Sequence, residues 1–490
     1  MSEQPSSDRS PSAPSAETEP TDLANADGGD SNEDGSLEKR AVRSSIWTFA
    51  GYGSSMVLRL GSNLVLTRLL MPEIFGIMAL VSVYLIALEL FSDLGINASV
   101  IHSERGDDPD FLDTAWTVQV VRGCALSAIS VLLAHPVALL YETPELASYL
   151  PVASIDAVIL GFTSTKLASL NRKLKLGLLT IIEITSQVVS VTVMVAWAVY
   201  SPTPWALIAG GLTAAVVEVA LSHLAIKGRR NRFRWDKSAI RELVNFGRWI
   251  FLSTAFTFSA SHGDRPILGT YVSLATLGLY NQAWALANAM TAVPSAIGHR
   301  VLFPLYSRLV EQRSAALIAR LRKIRLALMG VFLPFAAIGA VYGNLVMKVL
   351  YDGEYEGGGW MLQVLSVGAG LEIIVLTISP ILLASGKSFH HMLVMIAKAI
   401  ALPLCMISGG ALYGEPGLVV GVVVASLFTY PVLAWAVHQT KTWMPGLDLL
   451  GLVFALCVAG LCYLALPWAT EAALALEAAL EALKAWIKSF

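Results

Sequence analysis

Residues 67–102 read TRLLMPEIFGIMALVSVYLIALELFSDLGINASVIH. Between positions 74 and 101 the stretch is almost wholly apolar. Roughly 20 such residues, wound as a helix, cross about 30 Å of hydrocarbon. Comparable runs recur from Ile46 to Trp468, and they dominate a chain of 490 residues that is 55% hydrophobic and 14% charged, with a mean hydropathy of +0.63. A water-soluble fold of this size could not cover so much apolar surface, so a bilayer must be the solvent. Strand-like alternation is absent, which argues against a barrel. The expected fold is therefore an all-α polytopic membrane protein.

Breaks at charged, Gly or Pro residues place helices near 46–70, 74–101, 113–140, 146–168, 177–200 and 204–226. A second set falls near 244–269, 275–304, 326–350, 360–384, 389–411, 416–438 and 449–468. Two six-helix halves (41–226 and 244–438) are expected, with a linker at 227–243 and a thirteenth span within 439–490. The end of the chain, Thr470 to Phe490, alternates leucines with Glu471, Glu477, Glu481, Lys484 and Lys488, and reads as an amphipathic or weakly inserted helix.

Residues 1–40 hold ten acidic and three basic side chains and almost no large apolar one, the composition of a disordered tail. They lack the pattern of a signal peptide. If this tail is cytoplasmic, the outer connectors (71–73, 141–145, 201–204, 270–274, 351–359 and 413–415) contain no Lys or Arg, while the inner ones hold Arg172, Lys173 and Lys175, the stretch 227–241, and Arg308 to Arg325. That asymmetry sets the orientation in a cell membrane with the N-terminus inside. The basic run Lys227, Arg229, Arg230, Arg232, Arg234, Lys237 could suggest nucleic acid or anionic lipid, but its place between the sixth and seventh spans makes topology the plainer reading, and no nucleic-acid partner is expected. Asp107, Asp108 and Asp110 read as a solvated inner turn. Cys124, Cys405, Cys457 and Cys462 sit in apolar runs without metal spacing and read as packing residues; neither metal nor cofactor is expected.

Leu66 to Tyr84, LTRLLMPEIFGIMALVSVY, lies over Ile267 to Ala285, ILGTYVSLATLGLYNQAWA, at a spacing near 200 residues, each with a glycine (Gly76, Gly278) after a short outer turn. Duplicated halves give such a repeat, with the substrate path at their interface.

Three stretches are more specific than hydropathy: Thr67 to His102, with its LTRLL-P-E-FG turn and FSDLG; Gly263 to Asn288, GDRPILGTYVSLATLGLYNQAWALAN; and Val301 to Leu309, VLFPLYSRL. The chain, over about residues 40–440, resembles the oligosaccharide flippase family of polysaccharide exporters, which includes Wzx-like O-antigen, colanic-acid and teichuronic-acid transporters within the multidrug/oligosaccharidyl-lipid/polysaccharide superfamily. The resemblance implies two six-helix lobes around a central cavity, and a non-enzymatic transporter that turns polyprenyl-diphosphate-linked sugar units from the cytoplasmic to the outer leaflet by alternating access, for O-antigen, exopolysaccharide or lipopolysaccharide biosynthesis. Its partners would be the lipid-linked oligosaccharide and membrane lipids, with a polysaccharide polymerase and glycosyltransferases as candidates.

Such a cargo needs a wet, hydrogen-bonding path, so charges inside spans are informative: each costs about 2.5–3.5 kcal/mol near mid-membrane unless it faces a cavity or a partner. Arg59, Arg122 and Arg265 are the candidate cargo residues, because guanidinium binds phosphate oxygens bidentately and stays charged. Asp93, Asp264 and Glu89 are the candidate coupling groups or counter-charges, Glu89 and Asp93 sharing a helix face at i, i+4. The alternative is plain interhelical pairing or snorkelling. Asp156, Lys166 and Glu372 stand open to the same two readings. A multidrug extruder would want acidic residues in its cavity, and a polymerase or glycosyltransferase would want a large external loop with paired carboxylates, which the sequence lacks. No GxxxxGK[ST] phosphate loop is present.

Overall fold

The computed structural model describes residues 51, 53–92, 96, 99, 100, 103, 105–172, 176–226, 228–311, 315–351 and 353–488, with the side chains of 176, 244–253, 299, 311 and 468–488 set aside. The expected tail at 1–40, the first residues of span one and Asp93 lie outside them. Among the described residues all regular structure is helical. The first half contains α1 (53–66), α2 (Pro72–Phe91), α3 (Pro109–Leu140), α4 (Leu146–Ala153), α5 (Ile155–Gly161), α6 (Lys166–Arg172), α7 (Leu176–Tyr200) and α8 (Pro204–Leu224). The second contains α9 (Lys237–His262), α10 (Asp264–Tyr271), α11 (Leu274–Ile297), a π-turn at Gly298–Leu302, α12 (Phe303–Glu311), α13 (Ala315–Leu350), a 3-10 turn at Gly353–Gly358, α14 (Gly359–Leu376), α15 (Pro380–Ala384), α16 (Ser388–Tyr413), α17 (Glu415–His438) and α18 (Pro445–Lys488).

Nine of the described helical segments are long and apolar enough to cross a membrane, and a tenth results if the bent set at 146–172 counts as one. The helices at the expected first, seventh and eighth spans are not among them. The first is described over only 53–66, while α9 and α11 carry polar residues such as Ser259, His262, Asn281, Gln282 and Asn288. A span tolerates such residues where it faces protein or a water-lined space rather than lipid.

Four expectations need correction. The span expected at 146–168 is not one helix but bends by 62° after Gly161. The opened backbone is met from afar: Ser164 N–H donates to Ser222 Oγ (3.1 Å), Ser164 Oγ to Asn231 Oδ1 (2.8 Å) and Asn231 Nδ2 to Thr165 Oγ1 (2.7 Å). α13 begins eleven residues before the expected 326, taking Arg325 from an inner connector into the protein core at 1% exposure. α18 runs unbroken through the expected thirteenth span and the amphipathic end. The Asp108 turn is not merely solvated: residues 228–236 lie as a strap along the start of α3, with Arg229 on Asp113 (3.0 Å) and Arg234 on Asp110 (2.8 Å), while Arg105 pairs with Asp108 (3.0 Å) and Asp236 (3.1 Å).

The halves meet most tightly at the end remote from this strap. α2 and α11 begin there side by side, and a Cβ on Gly76 would lie 2.0 Å from the Leu274 carbonyl oxygen, one on Gly278 1.8 Å from that of Pro72. The contact is reciprocal: in each helix the fifth residue is a glycine that admits the first carbonyl of the other. The sequence repeat thus reappears as a pseudo-two-fold contact. Around it Asn63 donates to Gln282 Oε1 (2.5 Å), and the hydroxyl of Tyr355, a buried residue of the 3-10 turn, donates to the Leu70 carbonyl (2.7 Å). Near the strap, α9 supplies the crossing contacts, packing Ala239 and Leu243 against Phe111 and Ala115 of α3.

Candidate functional site

Among the described residues a cavity opens inside each half of the bundle. The larger, about 610 Å³, is walled by the end of α9, α10, α11, α14, α16 and α17. The smaller, about 550 Å³, is walled by α2, α3, α5, α6 and α8. Spans two, three, four and six line the first cavity, and spans seven, eight, ten, eleven and twelve the second.

The second-half cavity is built on a chain break. Pro266 has no N–H to offer the carbonyl of His262 four residues earlier, so α9 ends and α10 restarts at Asp264. The break buries Asp264 (4% exposed) and Arg265 (6%) inside the half. Asp264 Oδ2 accepts from the Tyr280 hydroxyl at 2.5 Å, whereas its Oδ1 and His262 Nδ1, both buried, have no protein partner among the described residues. The Arg265 guanidinium lies 3.9 Å from the centre of the Trp284 ring, and its Nε donates to Asn281 Oδ1 at 3.2 Å. Such a desolvated cation–π contact contributes about 2 kcal/mol. Across the cavity Lys398 Nζ stands 3.4 Å from Glu372 Oε2.

In the first half Arg122 donates to Ser92 Oγ (2.9 Å) and to the Glu89 carbonyl (2.7 Å), and lines the smaller cavity with Glu89, Asp156 and Glu218. Arg59 lines neither cavity. It is exposed, and on α1 it stands one turn from Ser55, which bonds Gln187 Oε1 (2.8 Å), and one turn from Asn63, which reaches α11. The helical spacing of 55, 59 and 63 puts it on the stripe that faces the other helices. The three candidate arginines thus occupy three compartments: Arg122 in the first-half cavity, Arg265 in the wall of the second, Arg59 on α1. Glu89 comes together with Arg122, and Asp264 with Tyr280; Asp93 lies outside the described residues.

A family model described as "Polysaccharide biosynthesis protein" matches residues 65–357. The chain belongs to this polysaccharide biosynthesis family. The lipopolysaccharide biosynthesis protein WzxC of Escherichia coli (strain K12) is 22% identical over 424 residues, 84% of this chain and 85% of that protein. Among solved structures, lipid II flippase MurJ in an inward closed conformation matches with a TM-score of 0.68 and 13% identity, covering 86% of this chain and 92% of that one. An inward-facing multidrug resistance MATE family transporter matches with a TM-score of 0.61 and 12% identity, covering 79% and 94%. These likenesses establish the polytopic all-helical fold of this member of the polysaccharide biosynthesis family.

Three cavity residues of this family member escaped the reading of its sequence: Glu218, Lys398 and His262. The first two carried a usable signal, since each is an ionisable side chain alone in an apolar span. His262 carried none, since its importance comes from the break that leaves its Nδ1 buried without a protein partner among the described residues.

Proposed function

We propose that this chain is a transporter, not an enzyme, that moves lipid-linked oligosaccharide across the cell membrane, with its N-terminus and basic strap on the cytoplasmic side. The reading is carried by two cavities, about 610 and 550 Å³, one in each half of a polysaccharide biosynthesis family protein and each lined by ionisable groups. A glycan cannot pass hydrocarbon without hydrogen-bonding partners, and these cavities offer them inside an otherwise apolar bundle. MurJ, named a lipid II flippase, shares the fold, and WzxC is named for lipopolysaccharide biosynthesis. In this scheme 41–226 and 244–438 act as the two lobes. Arg59 offers its guanidinium to the diphosphate, Arg122 and Arg265 act on the cargo within their own lobes, and Asp264 and Glu89 serve as counter-charges. Neighbouring polymerase and glycosyltransferases would consume and supply the cargo.

A second reading has one observation in its favour. Glu89, Asp156 and Glu218 outnumber Arg122 in the smaller cavity, which suits a small cationic cargo. Drug susceptibility of cells lacking the protein decides it: unchanged susceptibility removes this reading. Reconstitution tests the first. In liposomes loaded with lipid-linked oligosaccharide, an impermeant glycan reagent should reach only the outer pool; with the protein present it should reach the whole pool. Protection of the inner pool in both cases contradicts the proposal.

A further inference from the structure

The two cavities differ in charge. Asp264 and Glu372 on the second-half cavity are balanced by Lys398 and by Arg265 behind Trp284, so the formal charge cancels. The first-half cavity carries three carboxylates against one arginine. The lining itself holds two carboxylates against one lysine, which disfavours a diphosphate, and the arginine behind it offsets the excess that would hold a free cation. Its volume of about 610 Å³ falls within the roughly 300–1,000 Å³ of small-molecule sites and far exceeds the ~30 Å³ share of one water. Among the described residues no group of three or more His, Cys, Asp or Glu has metal-holding geometry. What the cavity does offer is hydrogen bonding with apolar relief. Asp264 Oδ1 is a buried acceptor with no protein partner, on a side chain 4% exposed whose other oxygen Tyr280 already holds; His262 Nδ1 is a second unpartnered atom. Leu365, Ala369, Leu402 and Val422 supply apolar wall between them. Hydroxyl groups on a compact, uncharged ring with apolar faces are the complement to this lining, since a hydroxyl donating to a buried carboxylate makes a strong charge-assisted bond.

We infer that the second-half cavity is the glycan subsite of the cargo path: it takes neutral sugar units of the lipid-linked oligosaccharide, with Asp264 Oδ1 and Glu372 accepting sugar hydroxyls and Lys398 donating, while the diphosphate stays outside it. The inference rests on the flippase reading and deepens it by separating the sugar end of the cargo from the phosphate end.

A cysteine reporter tests it. Ala292 lines the cavity and offers no polar group. Ala292→Cys is placed in full-length protein whose Cys124, Cys405, Cys457 and Cys462 are replaced by serine, and its alkylation by a maleimide is timed in detergent. Two probes are compared: isoprenoid-diphosphate-linked saccharides extracted from the host's membranes, and isoprenyl diphosphate without sugar. The glycolipid should slow alkylation and the bare diphosphate should not. Asp264→Asn and Glu372→Gln, each in the reporter background, should raise the half-protecting glycolipid concentration about tenfold, the loss expected of one charge-assisted bond. Equal slowing by both lipids, slowing by sodium or acid alone, or no slowing by glycolipid in a reporter that still flips it in liposomes overturns the inference. The flipping measurement on the same reporter separates that outcome from failure of the flippase reading.

Discussion

Arg325 and Asp448 face each other with 1% and 5% of their side chains exposed; the arginine Nε also donates to Thr377 Oγ1 (3.2 Å), and the carboxylate accepts from the Tyr430 hydroxyl (2.9 Å) and Trp443 Nε1 (3.2 Å). The node ties α13, α14, α17 and α18 together. Removing one partner leaves a buried charge, so Arg325→Met or Asp448→Leu alone should lower stability by about 3–5 kcal/mol, and the double variant should recover most of it. Thermal unfolding of the purified protein in detergent checks this; a double variant as weak as the sum of the singles contradicts it. In the proposed scheme Arg59 acts in transport rather than in stability. Its replacement in Arg59→Ala should abolish transport at unchanged membrane level, and Arg59→Lys should keep part of it, having the charge but not the fork. In the strap, hydrogen bonds from Ser238, with Arg105 beside them, hold the Asp236 carboxyl down at about 2. A depressed carboxylate stabilises above the ordinary aspartate range, near pH ~4, and loses that contribution as pH falls through its own value. Pepsin cleavage of residues 228–236 should therefore rise between about pH 4 and pH 2, and earlier in Ser238→Ala. Intramembrane charge made Arg122, Arg265 and Asp264 visible as candidates in the sequence. Their partners were not visible, because Tyr280, Trp284 and Asn281 acquire a role only through the turn between α10 and α11 that folds them back.

α2 and α11 show how much of an element's behaviour a sequence can carry. Their repeat and their glycines stand in plain view at Gly76 and Gly278, while the reciprocal approach of each to the other's first carbonyl belongs to tertiary structure. A methyl group at either position must push backbone aside, so Gly76→Ala and Gly278→Ala should each cost about 1–3 kcal/mol. The pair should cost less than the sum, since the first substitution already separates the helices that the second would strain; unfolding midpoints of the three variants give the answer. Where hydropathy misplaced an element, the reason was a contact distant in sequence. The break after Gly161 is stabilised by Ser222 and Asn231, about 60 residues on. The start of α9 at Lys237, before the apolar run, is fixed by Asp236 capping Ser238 and by the docking of Ala239 and Leu243 on α3. Apolar runs locate hydrocarbon, and a charged helix held by protein gives no such signal.

At the scale of the molecule, two similar halves each enclose a polar cavity, touch closely at the α2–α11 end, and are bridged by α9 near the strap. Two arrangements of such halves, exchanging which end is closed, would pass a glycan without exposing it to lipid. The central claim is that this protein, and not the polymer-forming machinery, carries the cargo to the outer leaflet. The direct measurement is the leaflet position of lipid-linked oligosaccharide in host cells depleted of the protein, read with an impermeant glycan reagent on right-side-out and inverted vesicles. Accumulation that reacts only in inverted vesicles, and moves outward when the protein is restored, is the predicted result. Glycolipid that reaches the outer leaflet as readily in depleted cells would contradict it.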